Sequence, residues 1–258
     1  APTGATIVTK PLTGIIAGDI VPLTGGTATF DTKDVGTGKI VTLNGASLTG
    51  ADALNYNLLS VNTATASITA KGVTGSFTAV SKIYDATTAT TVLNRALTGV
   101  LAGDVGSVSL TGGTGTFADK NVGTGKTVTL VGATLTGGAA AGNYTLTSVT
   151  TTTADITVRG ITGSFTAATK VYDGNNQAGV VTRTVTGVLG TDVVSLINGT
   201  ATFADKNVGT GKTVTLVGAT LSGADVLNYS LLSVGTTTAN ITAKGITGNF
   251  TVTASKVY

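Results

Sequence analysis

One string of seventeen letters, repeated almost verbatim, constrains this chain more than anything else in it. TATFADKNVGTGKTVTL spans Thr200–Leu216, returns as TGTFADKNVGTGKTVTL at Thr114–Leu130, and as TATFDTKDVGTGKIVTL at Thr27–Leu43. Other marks keep the same step: Asn55-Tyr56, Asn143-Tyr144 and Asn228-Tyr229; Lys82–Tyr84, Lys170–Tyr172 and Lys256–Tyr258; Asp19, Asp104 and Asp192. A period of about 86 residues means one supersecondary unit used again and again, so the fold of a single repeat decides the fold of the whole. The seams SITAKG/VTGSFT, DITVRG/ITGSFT and NITAKG/ITGNFT place repeat one at 1–72, repeat two at 73–160 and repeat three at 161–245, with 246–258 reading as the first strand of a further repeat. Ala1 aligns with Ala86, so repeat one is expected to lack its first strand, and the last thirteen residues repeat that strand's sequence. Two readings stay open: a window from a longer array, or a subunit whose final strand completes repeat one of a neighbouring copy.

Within the repeat the apolar pattern has the period of a strand. In TVTL, Val128 and Leu130 point one way and Thr127 and Thr129 the other, as on a half-buried antiparallel strand. Repeat two is expected to carry strands at 75–80, 82–84, 91–97, 105–110, 113–117, 126–135 (with a bulge at Gly132), 144–149 and 154–158, with a turn at Ala102-Gly103-Asp104 and a hairpin loop between Phe117 and Lys126. Abundant Thr and Val and a complete lack of Glu favour strands over helices. About seven short strands per repeat suggest an Ig-like β-sandwich. The expected fold is all-β: tandem Ig-like sandwiches forming an elongated rod, joined without a Pro/Ser-rich linker. All twelve aromatic residues fall at four repeat-equivalent positions, and a repeat this poor in large apolar side chains needs them in its core.

The residues exclude most chemistry. With no His and no Cys, the usual hydrolytic triads, thiol catalysis and thiolate metal sites are out of reach. Twelve isolated Asp residues make paired carboxylates hard to build. GTGKT at Gly123–Thr127 resembles a phosphate loop, but Lys120 or Lys206 stands where that motif needs its first Gly, and a strand follows instead of a helix. Calcium is the one cofactor weighed, at Asp104, Asp119 and Asp173; nothing resembles a D-x-D-x-D loop, and an Asp beside Gly is a turn former. A Lys–Asn crosslink using Lys82 or Lys170, Asn143 or Asn228, and Asp104 or Asp192 is set against the simpler reading of solvent-facing Lys and turn Asn. No catalytic, cofactor or metal residues are therefore assigned. The net charge of +3 is spread thinly, which disfavours nucleic acid as a partner, and no apolar run is long enough to span a membrane as a helix. The expected partners are neighbouring repeats or copies of the chain end to end; no receptor is indicated. Asn175-Asn176-Gln177 is the one loop that departs mildly from its counterparts.

The set K-V-Y-D-G (Lys170–Gly174), T-G-V-L-A-G-D (Thr98–Asp104), F-A-D-K-N-V-G-T-G-K (Phe117–Lys126), G-N-Y-T-L (Gly142–Leu146) and A-D-I-T (Ala154–Thr157) resembles the YDG repeat of large filamentous-haemagglutinin-like bacterial adhesins. The departures are Asp85-Ala86 where that repeat has Asp-Gly, and Asp34 in place of Asn121; both read as turn positions. The resemblance implies an extracellular location at the bacterial cell surface and a non-catalytic stalk or filament. An adhesive module for carbohydrate or a host protein is the alternative.

Overall fold

A computed structural model describes residues 3–258. The described chain is almost entirely β-structure, built as tandem repeats. It divides into two compact units that cut across the sequence repeats. One contains the chain up to Ala79 with Thr90–Thr116 and Thr127–Thr153; the other contains Val80–Ala89, Phe117–Lys126 and everything from Ala154.

The second unit holds the whole of repeat three. Its leading strand, Arg159–Ala167, is the middle strand of a three-stranded sheet, antiparallel to Val180–Thr186 and parallel to Tyr229–Val234. A second sheet has five strands in the order Lys170–Val171, Thr237–Thr242, Gly209–Ser222, Ser195–Phe203 and Gln177–Ala178. The chain thus leaves one sheet at Ala167 and joins the other at Lys170, where it runs parallel to Thr237–Thr242. Alternation in the leading strand sends Ile161, Gly163 and Phe165 inward and Thr162, Ser164 and Thr166 to solvent. Phe165 packs on Leu196, Phe203, Val214 and Ile241 of the five-stranded sheet, closing one core between the two sheets. The inward Gly163 leaves room for Leu196, whose Cδ2 would lie 2.9 Å from a Cβ at that position.

In the first unit, Lys71–Ala79 is likewise the middle strand between Val92–Thr98 (antiparallel) and Tyr144–Val149 (parallel). Val73, Val108 and Tyr144 form one cluster of its core. Repeat one contributes a single four-stranded sheet, ordered Gly4–Ala5, Leu23–Phe30, Gly36–Leu48 and Ala64–Ile68.

Several expectations need correction. The segments 105–110 and 113–117 are not two strands: Ser109–Phe117 is continuous, and Val105 makes only an isolated bridge to Val108. The expected bulge at Gly132 is displaced in the copies whose pairing is resolved. Its counterpart Gly218 in repeat three lies within an unbroken register, Asn198↔Ala219 followed by Thr200↔Val217. Gly199 and Gly218 both have positive φ there, 84° and 77°, so the hairpin coils sharply without gaining a residue. The register shift falls instead between Gly209 and Lys212, within the GTGK run. Seven of the eight aromatic residues in repeats two and three are core: Phe77, Phe117, Phe165, Phe203, Tyr84, Tyr144 and Tyr229 are buried. Phe30, Tyr56 and Tyr172 are only half-buried, and Phe250 and Tyr258 are exposed, because residues 246–258 have no β-partner and form no strand.

Candidate functional site: the joint between successive repeats

The hairpin loop that follows Phe117 does not end at its own repeat. Asp119 Oδ1 accepts from the Asn121 N–H (2.7 Å) and from Lys126 Nζ (2.7 Å), which closes the loop and presents Lys120, Asn121 and Val122 outward. All three meet repeat three. Lys120 Nζ donates to Asp192 Oδ1 (2.8 Å), the Val122 N–H donates to Asn228 Oδ1 (2.9 Å), and Asn228 Nδ2 donates to Asn121 Oδ1 (3.2 Å).

Asp192 is the hub. Its side chain is 3% exposed, and Oδ2 accepts from the Tyr84 and Tyr229 hydroxyls, each at 2.7 Å. The two rings meet edge to face, centroids 5.4 Å apart, and Lys120 Nζ stands 5.8 Å from the Tyr84 ring centre. Burial alone would raise the Asp192 carboxyl, but the hydrogen bonds from Lys120, Tyr84 and Tyr229 outweigh it and hold it at about 2. Burial and the same carboxylate raise Tyr84, and Tyr229 is pushed up to about 12, burial leading. Every group is therefore locked in one protonation state near neutral pH. The cluster offers no proton to transfer and no nucleophile; it is a saturated ion-pair and hydrogen-bond clamp.

The same clamp recurs in the first unit. Lys33 Nζ reaches Asp104 Oδ1 (3.3 Å), the Tyr144 hydroxyl donates to Asp104 Oδ2 (2.8 Å), and the Val35 N–H donates to Asn143 Oδ1 (2.8 Å). Asn143 Nδ2 donates to Asp34 Oδ1 (2.9 Å), so Asp34 does what Asn121 does: it accepts from the next repeat's Asn. Neither is merely a turn former, which corrects the sequence reading.

A second constellation lies at the K-x-Y-D motif. Lys170 Nζ turns inward, bonding Asp173 Oδ1 (2.8 Å), the Asn175 carbonyl (2.8 Å) and Asn175 Oδ1 (2.9 Å), with the Phe203 ring centre 5.7 Å away. Lys82 does the same with Asp85 and the Thr87 and Ala89 carbonyls, over Phe117. The turn after the Asp demands a left-handed residue, and Gly174 supplies it with φ 85°. The motif is thus a lysine-closed loop clipped over a core Phe. The YDG domain family matches residues 1–66, 69–154 and 152–239. The chain belongs to the YDG domain family. Comparison with curated proteins and with solved structures returned no match.

The remaining candidates sort themselves within this frame of three YDG repeats. Asp85-Ala86 keeps the loop although Ala86 must adopt φ 63°. The lysines read as solvent-facing, Lys82 and Lys170, are largely covered and bound to aspartates. In repeat three, Lys170, Asn228 and Asp192 are not brought together: Lys170 serves its own loop, while Asn228 and Asp192 serve the joint. The three aspartates weighed for calcium each hold a lysine: Asp104 with Lys33, Asp119 with Lys126, Asp173 with Lys170. Among the described residues no three carboxylates converge as a cation would need. The lysine of the GTGK run is likewise spent: Lys126 lies on Asp119, and the Gly125 N–H donates to Asp155 Oδ1 (2.7 Å). Seven of the fifteen basic residues, all lysines, are paired with aspartates among the described residues. No described helix is long and apolar enough to cross a membrane.

Proposed function

We propose that these YDG repeats form a non-catalytic, Ig-like structural array in the stalk or filament of an extracellular bacterial adhesin or fibre, of the filamentous-haemagglutinin-like kind. One observation carries the reading: the Asp192 carboxylate, whose side chain is almost wholly covered, is spent on joining one repeat to the next. An enzyme or receptor module spends such a group on a substrate or ligand and leaves part of it unsatisfied until that ligand binds. Here all three donors come from the chain itself. The partners of the array are its own repeats, with no cofactor, and its location is the cell surface. The test is a panel of glycans and host matrix proteins exposed to the purified 258-residue chain, alongside electron microscopy of the native surface protein. Blank binding with uniform thin filaments is expected. Saturable binding of a glycan or host protein, abolished by a substitution in a surface loop, would replace this reading with that of an adhesive module.

A further inference from the structure

The three-stranded sheets of repeats two and three each end on a long strand with one open side. Val180–Thr186 pairs with Arg159–Ala167 and, among the described residues, with no strand beyond it; Val92–Thr98 stands the same way beside Lys71–Ala79. The five-stranded sheet of repeat three is closed differently, by the two-residue strands Lys170–Val171 and Gln177–Ala178, which are too short to template another chain. The long edges are not. Val181 and Leu93 are exposed on them, and their unpaired N–H and C=O groups offer a ladder to any extended strand. The same edge of a second copy is such a strand, present at the concentration of the protein itself.

One residue in each long edge breaks the apolar inner pattern. Arg183 lies opposite the inward Phe165, so it stands on the core-facing side of its strand. Its side chain crosses the open side of the sandwich, and Nε donates to the Asn198 carbonyl (3.1 Å) on the facing sheet. Arg95 falls beside the buried Phe77, in the register shift between Ser76 and Thr78, and its Nε donates to the Gly112 carbonyl (3.2 Å). Both acceptors sit at left-handed residues, φ 56° and 65°. In repeat one Lys10 Nζ donates to the carbonyl of the equivalent Gly25, so the side chain changes and the positive charge stays. Arg95 and Arg183 are exposed, and among the described residues neither is paired with a carboxylate.

A strand added beside either edge would extend the sheet over the side that the arginine crosses. Water would be stripped from a guanidinium with no counter-charge, and the N–H donors not spent on the one carbonyl would go unmet. Joining two copies edge to edge would also bring two such cations onto one face, where like charges oppose pairing.

We propose that Arg95 and Arg183 keep the open edges of the three-stranded sheets from pairing with the same edges of a second copy, so that copies do not merge sideways into a common sheet. Charge, and not the tie to the facing sheet, is what holds the edge shut.

The test compares the 258-residue chain with an Arg95→Gln/Arg183→Gln variant and an Arg95→Lys/Arg183→Lys variant, by light scattering coupled to size exclusion over a range of concentrations. Gln keeps a donor for the carbonyl and removes the charge; Lys keeps both. The Gln variant is expected to grow into multiples of the mass shown by the wild type, and the Lys variant to match the wild type. Amide exchange should show Val92–Thr98 and Val180–Thr186 gaining protection in the assembled Gln variant, with the Val122 amide of the joint as protected as before, which reports an intact fold. A Gln variant with the mass distribution of the wild type overturns the proposal, as does a Lys variant that assembles equally. Assembly without protection of the two edges, or with the Val122 amide exposed, overturns it too and leaves the arginines as ties between sheets. None of these outcomes bears on the stalk reading, which stands or falls on the ligand panels and on microscopy.

Discussion

Replacing Asp192 by Ala removes the hub of the joint while leaving the backbone and both aromatic rings in place. Three donors lose their acceptor. Tyr84 is fully enclosed and its hydroxyl, which has Lys120 beside it as a donor, loses its acceptor, so it bears the desolvation cost of an unmet buried donor, about 1–3 kcal/mol. The Tyr229 hydroxyl still accepts from the Leu189 N–H (3.0 Å) but donates to nothing, which adds about 1 kcal/mol. Lys120 is 38% exposed and can turn to water, so its share is small. The expected loss is about 3 kcal/mol. Hydrogen exchange followed at the Val122 and Leu189 amides, both donors within the joint, should report it directly as roughly a hundredfold loss of protection. Asp205→Ala is the control: that carboxylate is half exposed and serves only its own hairpin, so its loss should cost much less than that of Asp192. A loss below about 1 kcal/mol for Asp192→Ala, or one no larger than the control, would refute the clamp.

Other outcomes follow from the same geometry. Ala86→Gly should stabilise repeat two by about 1 kcal/mol, since Ala86 holds φ 63° while the matching Gly174 holds φ 85° at no such cost; an unchanged urea midpoint would count against strain there. Phe117→Ala should cost about 3–5 kcal/mol, because the ring is 2% exposed beneath Lys82, and a near-neutral urea midpoint would remove it from the core. The Asp192 carboxyl is depressed to about 2, so its stabilisation is complete above the ordinary carboxylate range and fades as pH falls from about 4 through 2. The stability gap between wild type and Asp192→Asn should close over that window, and a gap constant with pH would show the charge to be idle. Tyr229, raised to about 12, should contribute fully below about pH 10 and lose its contribution as pH rises through 12, read from the alkaline unfolding of wild type against Tyr229→Phe.

Much of the fold was legible because strand alternation is local. The inward faces of Thr127–Leu130 and of the leading strand follow from the period of two, and the aromatic anchors of repeats two and three from their scarcity. The joint was not legible, for a reason inherent to repeats. Lys120 recurs at the same step as Asp104 and Asp192, so sequence periodicity alone offers no choice between a partner in its own repeat and one in the next. The inward turn of Lys82 and Lys170 was hidden differently. Each motif carries an Asp three residues on, Asp85 and Asp173, and a carbonyl cage from the turn beyond it, a backbone feature with no letter of its own. Gly132 read as a bulge because its letter does not reveal the pairing across the hairpin, where the counterpart Gly218 lies within an unbroken register.

The parallel pairing of Arg159–Ala167 with Tyr229–Val234 has a mechanical consequence. Thr152–Thr157 passes into Arg159–Ala167 through Val158 alone, so tension arriving from repeat two enters repeat three at the middle of a sheet. It leaves through Thr237–Thr242, which follows directly on Tyr229–Val234. Neighbouring strands of the same direction pulled from opposite ends slide along each other, so once Thr237–Thr242 yields, the ladder between Arg159–Ala167 and Tyr229–Val234 is loaded all at once in shear and not peeled one by one. Extension along the chain is resisted by that arrangement with no crosslink required.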